Sequence, residues 1–500
     1  MLHTTVDKDL ELESSLPDYC PDISRLIRVD CVPVIESSEI NGEKCVVVGK
    51  IICNMIYETD YKNKVKSAVF EKDFTHNFDV PMQNSVDPVP EVTTRCAHIS
   101  CKMLSPRKFI IKSRVELNLD VFASTVMKTA DTESGDNTFY KTVEISYEKK
   151  LKPCNEEFDF EEEIPLMQNE KSVGEIVYGN IRLQPPQVTV TGNDAHIKTN
   201  AVIKLLYEAE NSDNELIMST KILPLVMTMS NLDINEENRI SVSLSVPKEK
   251  LSIELDTYGE NRVIRAEFTA FAKAAIAEKV NETVATDMFS SDCLHKTENA
   301  TVNLLMAATE FDRTFAIDTE ITPDRTIIAP LFDTDITINE LKAEQSEGGV
   351  VISGTYTVSI LGLTNEGVES FDFTGEFSEF ITADFPMGVG SIEVSLYPFD
   401  YTSTMMSDGN ISLRIIINAK IRAYTEEMKT FISTIISQDP LAKEKESYSV
   451  VYYYPSKTDS LWTIAKKYYV NPSAIKAANP NTFDENDMPK IGTRMVLIKK

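Results

Sequence analysis

The 500-residue chain reads as mainly β: tandem antiparallel β-rich modules followed by a small β-α-α-β domain. Three observations predict this. Long stretches alternate apolar and polar residues at period two and are rich in β-branched side chains, as in Cys45-Val-Val-Val-Gly-Lys-Ile-Ile-Cys-Asn-Met-Ile-Tyr57 and Asn410-Ile-Ser-Leu-Arg-Ile-Ile-Ile-Asn-Ala-Lys-Ile-Arg422. Similar segments recur about 150 residues apart. A helical period of 3.6 emerges only after residue 450.

The recurrences divide the chain. Ile56-Tyr57, Leu206-Tyr207 and Ile360-Leu361 each close a strand, and Arg25-Leu-Ile-Arg28, Glu175-Ile-Val-Tyr178 and Arg325-Thr-Ile-Ile328 precede them in the same order. Glu157-Phe-Asp159 corresponds to Glu310-Phe-Asp312. Each unit continues with a strand (70–80, 217–229, 371–381) and a terminal hairpin ending in Val121-Phe-Ala123, Ala270-Phe-Ala272 or Ile421-Arg-Ala423. The expected modules are 15–150, 165–300 and 315–426. Residues 427–447, rich in lysine and glutamate, predict a short helix running into a flexible linker.

The last module, 448–500, is justified element by element. Strands at 448–453 and 493–498 flank two helices. Asp459, or Thr458 before it, is the expected N-cap of the first. Leu461, Ile464, Ala465 and Tyr468 form its apolar face, and Lys466-Lys467 suit the negative end of the helix dipole. Asn471-Pro472 starts the second helix as N-cap and N1 proline. Trp462, the chain's single tryptophan, lies about 100° from the apolar face. It reads either as a half-buried packing residue or as a contact anchor, since tryptophan is enriched among interface hot spots. Lys466 shares its side of the helix, with Lys457 and Lys476 nearby. A basic rim around an aromatic suits an acidic protein partner better than a neutral glycan; the alternative is an ordinary solvated basic face.

Charge narrows the function classes. Asp and Glu number 78 against 50 Lys and Arg, a net of −28, which excludes a general nucleic-acid binder. The last module is the exception, with eight Lys/Arg against four Asp/Glu. The first residues show no basic region followed by an apolar one, so no secretory signal is expected, and no run is apolar enough for a membrane span. Eight scattered cysteines without a Cys-x-x-Cys pair predict reduced thiols in a cytoplasmic protein.

Val451, Pro455, Asp459-Ser-Leu-Trp-Thr-Ile-Ala-Lys-Lys-Tyr468, Asn479-Pro480 and Ile491-Gly-Thr-Arg-Met-Val-Leu-Ile498 resemble the LysM domain. The departure is the first loop, Pro455-Ser-Lys-Thr-Asp-Ser-Leu461, longer than the family's and without its glycine. In glycan-binding members that loop and the one after the second helix form the sugar groove. The segment Leu16-Pro-Asp-Tyr-Cys-Pro-Asp-Ile-Ser-Arg-Leu-Ile-Arg-Val-Asp30, continued by Val46-Val-Val-Gly-Lys50 and Ile56-Tyr57, resembles the SPOCS domain (domain of unknown function 3794). Repeated SPOCS modules with one LysM resemble the SipL-like spore-coat morphogenetic proteins and, more distantly, the SpoVID-related ones. The resemblance implies a mother-cell cytoplasmic adaptor at the forespore surface. Its LysM would bind the coat basement-layer ATPase (stage IV sporulation protein A), with other coat proteins and self-association as further contacts. Pro455, Asp459, Leu461, Trp462, Lys466, Asn479 and Pro480 are the expected partner-binding residues. The alternatives are a peptidoglycan- or cortex-binding LysM protein and a phage-tail structural protein.

No catalytic, cofactor or metal site is expected. The five histidines, at 3, 76, 98, 196 and 295, have no metal spacing, and no nucleotide-binding or nucleophile-elbow motif occurs. Any ATP-driven step belongs to the partner. The acidic run Glu156-Glu-Phe-Asp-Phe-Glu-Glu-Glu163 lacks a calcium-loop pattern and reads as a strand with one charged face in water. Glu340, Glu344 and Glu347 read as solvated surface. No nucleic acid and no integral membrane contact are expected.

Overall fold

Strict alternation commits each run to one buried and one wetted face, so the runs pair antiparallel and then stack in two layers. The computed structural model describes residues 2–60, 64–81, 86–124, 129, 137–212, 215–232, 234, 238–328, 331–385, 389–440 and 449–499. They fall into two units, one of 1–124, 149–278 and 307–424, the other of 125–148, 279–306 and 425–500.

The first unit holds three two-sheet sandwiches. The first comprises β1 (Leu2–Ser15), β2 (Ile23–Asn41), β3 (Lys44–Thr59), β4 (Val65–Asp79), β5 (Val86–Ser105) and β6 (Lys108–Ser124), with sheets β2-β3-β4 and β1-β6-β5. After β7 (Thr138–Lys150), the second uses β8 (Cys154–Pro165), β9 (Val173–Leu183), β10 (Gln187–Thr191), β11 (Asp194–Ala209), β12 (Leu216–Met229), β13 (Arg239–Leu255) and β14 (Asn261–Ser290). Its sheets are β10-β11-β12 with β9 on β11, and β13-β14-β7 with β8 on β14. The third uses β15 (Cys293–Ile321), β16 (Asp333–Ser346), β17 (Gly349–Thr364), β18 (Gly367–Thr382), β19 (Val389–Met405) and β20 (Ile411–Pro440), with sheets β16-β17-β18 and β15-β20-β19. Facing sheets bury the alternate apolar residues, as Val47, Ile51 and Met55 of β3 against Phe109, Leu117 and Leu119 of β6.

Each sandwich begins earlier than the recurrences suggested. β1, β8 and much of β15 precede residues 15, 165 and 315, and each pairs with a long late strand, β6, β14 and β20 respectively. In β1 every second residue faces water and several of these are charged (Asp7, Asp9, Glu11, Glu13), which hides the apolar half of its alternation. The acidic run likewise lies in strand β8, with Glu157, Asp159, Glu161 and Glu163 outward and Glu162 half-buried on the side of Phe158 and Phe160.

A buried cluster joins the three sandwiches: Ile56 and Val65 from the first, Val177, Tyr178 and Leu206 from the second, Phe332, Leu361 and Val368 from the third. The third repeat is therefore one residue out of the expected register, since Leu361 matches Ile56 and Leu206. Gly362 stands where Tyr57 and Tyr207 stand, and a Cβ there would meet Ile327 at 3.3 Å. Charged groups cross the same junction. Arg28 lies 2.5 Å from Asp30 and 3.4 Å from Asp333, and Lys204 donates to Asp333 at 2.7 Å. Arg182 pairs with Asp335, and Lys64 with Glu208 at 2.9 Å.

In the second unit, the start of β7, the end of β14, the start of β15 and the end of β20 bury Ile145, Val284, Leu304 and Phe431 together. The helix expected just after residue 427 is absent, because β20 runs to Pro440. Phe431-Ile-Ser-Thr-Ile-Ile436 is a β-forming run, and pairing outweighs the local lysine and glutamate content: Asn303 donates to Glu426, and the Thr301 and Thr430 hydroxyls bond at 2.9 Å. Residues 441–447, the rest of the expected linker, lie outside the described residues. The unit ends in β21 (Ser449–Tyr453), α1 (Leu461–Tyr468), α2 (Pro472–Ala478) and β22 (Met495–Lys499), with β21 paired to β22. No helix among the described residues is long and apolar enough to cross a membrane.

Candidate partner-binding site

The small domain is organised around α1. Ser460, rather than Asp459 or Thr458, caps it. The Ser460 hydroxyl accepts from the Thr463 amide at 3.2 Å, and the Thr463 hydroxyl accepts from the Ser460 amide at 2.8 Å, a reciprocal capping box. Asp459 instead closes the preceding loop, accepting the Ser456 amide and the Tyr453 hydroxyl, each at 2.7 Å. Burial raises the Asp459 pKa, but these hydrogen bonds outweigh it and hold the carboxyl below its ordinary value. Asn471 and Pro472 start α2 as the sequence predicts.

The seven expected contact residues separate by depth. Leu461 is buried with Ile464, Ala465, Ile475, Met495 and Leu497. Pro455 is buried in the turn. Asn479 ties α2 to β22, donating to the carbonyls of Ile475 (2.9 Å) and Val496 (2.8 Å) and accepting the Val496 amide (2.7 Å). These three, with Asp459, hold the domain's shape. Pro480 is exposed, and Trp462 and Lys466 lie one turn apart on the outer side of α1.

The structure brings Trp462 and Lys466 together over a feature that sequence reasoning missed. Trp462 Nε1 donates to Asp287 at 2.8 Å across 175 residues of chain, and Lys466 Nζ donates to the other carboxylate oxygen. The Trp462 indole meets the Phe289 ring edge-on, centroids 5.1 Å apart, and Phe139 lies against Phe289 at the same separation. Phe289 is only 3% exposed and belongs to the same core as Leu461 and Ile464. Burial raises the Asp287 pKa, but Lys466 and Trp462 more than offset this and hold the carboxylate below its usual range. No periodicity marks residues 287–289 as different from the rest of β14.

The remaining basic rim is spent differently. Lys476 pairs with Asp487, and Lys467 lies over the rings of Tyr453 (5.3 Å) and Tyr468 (5.5 Å). Among the described residues no group of three or more His, Cys, Asp or Glu is placed to hold a metal ion. Glu340, Glu344 and Glu347 are exposed, and all eight cysteines are free thiols.

Two family models match the chain: the SipL, SPOCS domain over residues 22–104 and the LysM domain over residues 456–497. Comparison with curated proteins and with solved structures returned no match.

Proposed function

We propose that this SPOCS- and LysM-domain protein is a non-enzymatic scaffold of bacterial endospore coat assembly, and that its LysM domain binds the coat basement-layer ATPase (stage IV sporulation protein A) in the mother-cell cytoplasm. The three sandwiches, taken as SPOCS-like modules, would present further surfaces to other coat proteins or to a second copy. The observation that carries the reading is the chemistry of the Trp462–Lys466 face. It holds a carboxylate and an aromatic ring of polypeptide, Asp287 and Phe289, at hydrogen-bonding and ring-contact distance. A surface that grips an acidic and an aromatic side chain is suited to protein, with an aromatic anchor and a charge-assisted hydrogen bond as its two elements. The loop before α1, whose carboxylate Asp459 is turned inward onto Ser456 and Tyr453, supports a protein ligand over a glycan.

The test is capture of partners by the full chain and by Trp462→Ala, from lysate of sporulating cells and on purified sacculi. Capture of the coat ATPase by the wild-type chain, at least ~tenfold reduced in the variant, with sacculi unbound, is the expected result. Retention on sacculi that disappears with Trp462 would make the protein a glycan binder instead.

A further inference from the structure

The face assigned to the partner is already covered by the chain's own strand. Asp287 accepts both the Trp462 indole N–H and the Lys466 ammonium, and Phe289, two residues further along β14, fills the space beside the indole. Residues two apart on a strand reach the same side of a sheet, so one extended segment supplies both groups at once. The neighbours of this segment are fixed: Ala285 and Met288 are buried against Ile432, and the Met288 amide donates to Asp287 at 2.8 Å. An incoming ligand for Trp462 has to compete with a ligand tethered in place, whose effective concentration is high.

We propose that the Asp287-Met288-Phe289 segment of β14 is an intramolecular clasp on the LysM domain, and that the partner displaces it with an extended segment of the same chemistry, an acidic residue followed two positions later by an aromatic one. The proposal rests on the reading of Trp462 as the partner-binding anchor. The clasp defines the ligand: a carboxylate placed to take the indole N–H and the Lys466 ammonium together, and a ring to meet the indole edge-on. It also makes binding conditional. The apparent affinity is the intrinsic affinity multiplied by the fraction of molecules with the clasp open.

Because Trp462 is the only tryptophan, its emission in the full-length protein reports on the clasp directly. Asp287→Ala is expected to steepen acrylamide quenching of Trp462 about twofold and to raise capture of the coat ATPase ~tenfold, the gain for opening a clasp closed in nine molecules of ten. Asp287→Asn, which keeps an acceptor for the indole but loses the ion pair, should lie between. A synthetic peptide of residues 284–290, added at millimolar concentration, should compete with the ATPase for the Asp287→Ala chain. The same peptide with Asp287→Asn and Phe289→Ala together should not. Unchanged quenching in Asp287→Ala, or a peptide that competes no better than its control, overturns the proposal. If quenching responds to Asp287→Ala while Trp462→Ala leaves ATPase capture intact, the clasp stands and the assignment of the ATPase to this face falls.

Discussion

At the scale of single residues, the most consequential groups are buried charges that local pattern does not announce. Asp333, 2% exposed in its side chain, is shared by Arg28 and Lys204, and Arg28 is itself 5% exposed. A buried pair of this kind adds little net stability while intact, because desolvation offsets the attraction, but removing one member strands the other in a poor solvent. Asp333→Ala should therefore cost roughly 3–5 kcal/mol in urea denaturation of the whole chain, and Lys204→Met added to it should recover part of that loss, since Arg28 keeps Asp30 as its partner. Recovery would identify the penalty as a stranded charge; none would identify it as lost packing around Tyr178 and Phe332. The cysteines illustrate the same limit of sequence reading. The approach of Cys31 and Cys53 across β2 and β3, Sγ atoms 2.8 Å apart, follows from strand register alone.

At the scale of elements, two sandwiches share a device. Gly49 of β3 pairs with Ile35 at an irregularity in β2 between Ile35 and Ser37, and Gly354 of β17 pairs with Leu341 just past one in β16 between Ile338 and Glu340. A Cβ at Gly354 would run into the Glu340 carbonyl oxygen, and one at Gly49 would lie 2.5 Å from that of Val34. The middle sandwich solves the same place differently. Its strand is broken between β9 and β10 by Pro185-Pro186, and Thr199 of β11 donates its hydroxyl to the Gln184 carbonyl at 2.6 Å. Bulges bend a strand and increase its twist, and the glycine allows the partner backbone to approach. Gly354→Ala should destabilise the chain by about 1–3 kcal/mol, the usual range for overpacking, measured as a shift in the urea midpoint with an unchanged slope. A loss below a few tenths of a kcal/mol would mean that the bulge in β16 simply opens.

At the scale of the whole molecule, electrostatics sets a pH window. Burial pushes the Asp335 carboxyl up, but Arg182, with Lys204 and Arg28 behind it, outweighs burial and holds it at about 2. Glu310 is likewise held at about 2, burial being outweighed by Arg422 and Lys420. Their side chains are 21% and 27% exposed, so solvent screens these pairs only in part. A depressed carboxylate stabilises the folded state above its unfolded pKa and ceases to do so as pH falls through the folded one. Each carboxylate should thus contribute about 2–3 kcal/mol at neutral pH that disappears between roughly pH 4.5 and 2. Urea midpoints measured at pH 6 and pH 3 test this: a marked fall is expected, and Asp335→Asn should reduce it, with Glu310 accounting for a similar remaining share. Equal midpoints would show that these pairs are matched by equivalent interactions in the unfolded chain.

The sequence by itself determined the properties that repeat locally. Alternation at period two specified most of the strands, the spacing of Leu461, Ile464 and Ala465 specified the buried face of α1, and Asn471-Pro472 marked the start of α2. What only the tertiary structure decided are encounters between residues far apart in the chain. These include the one-residue slip that puts Gly362 in a tyrosine's place, the charged junction around Asp333, and the strand character of 427–440. They also include the assignment of Leu461 and Asn479 to the interior while Trp462 meets Asp287 and Phe289. The physical reason is that periodicity records which side of an element is buried, whereas the partner on that side is chosen by register and packing across the whole fold.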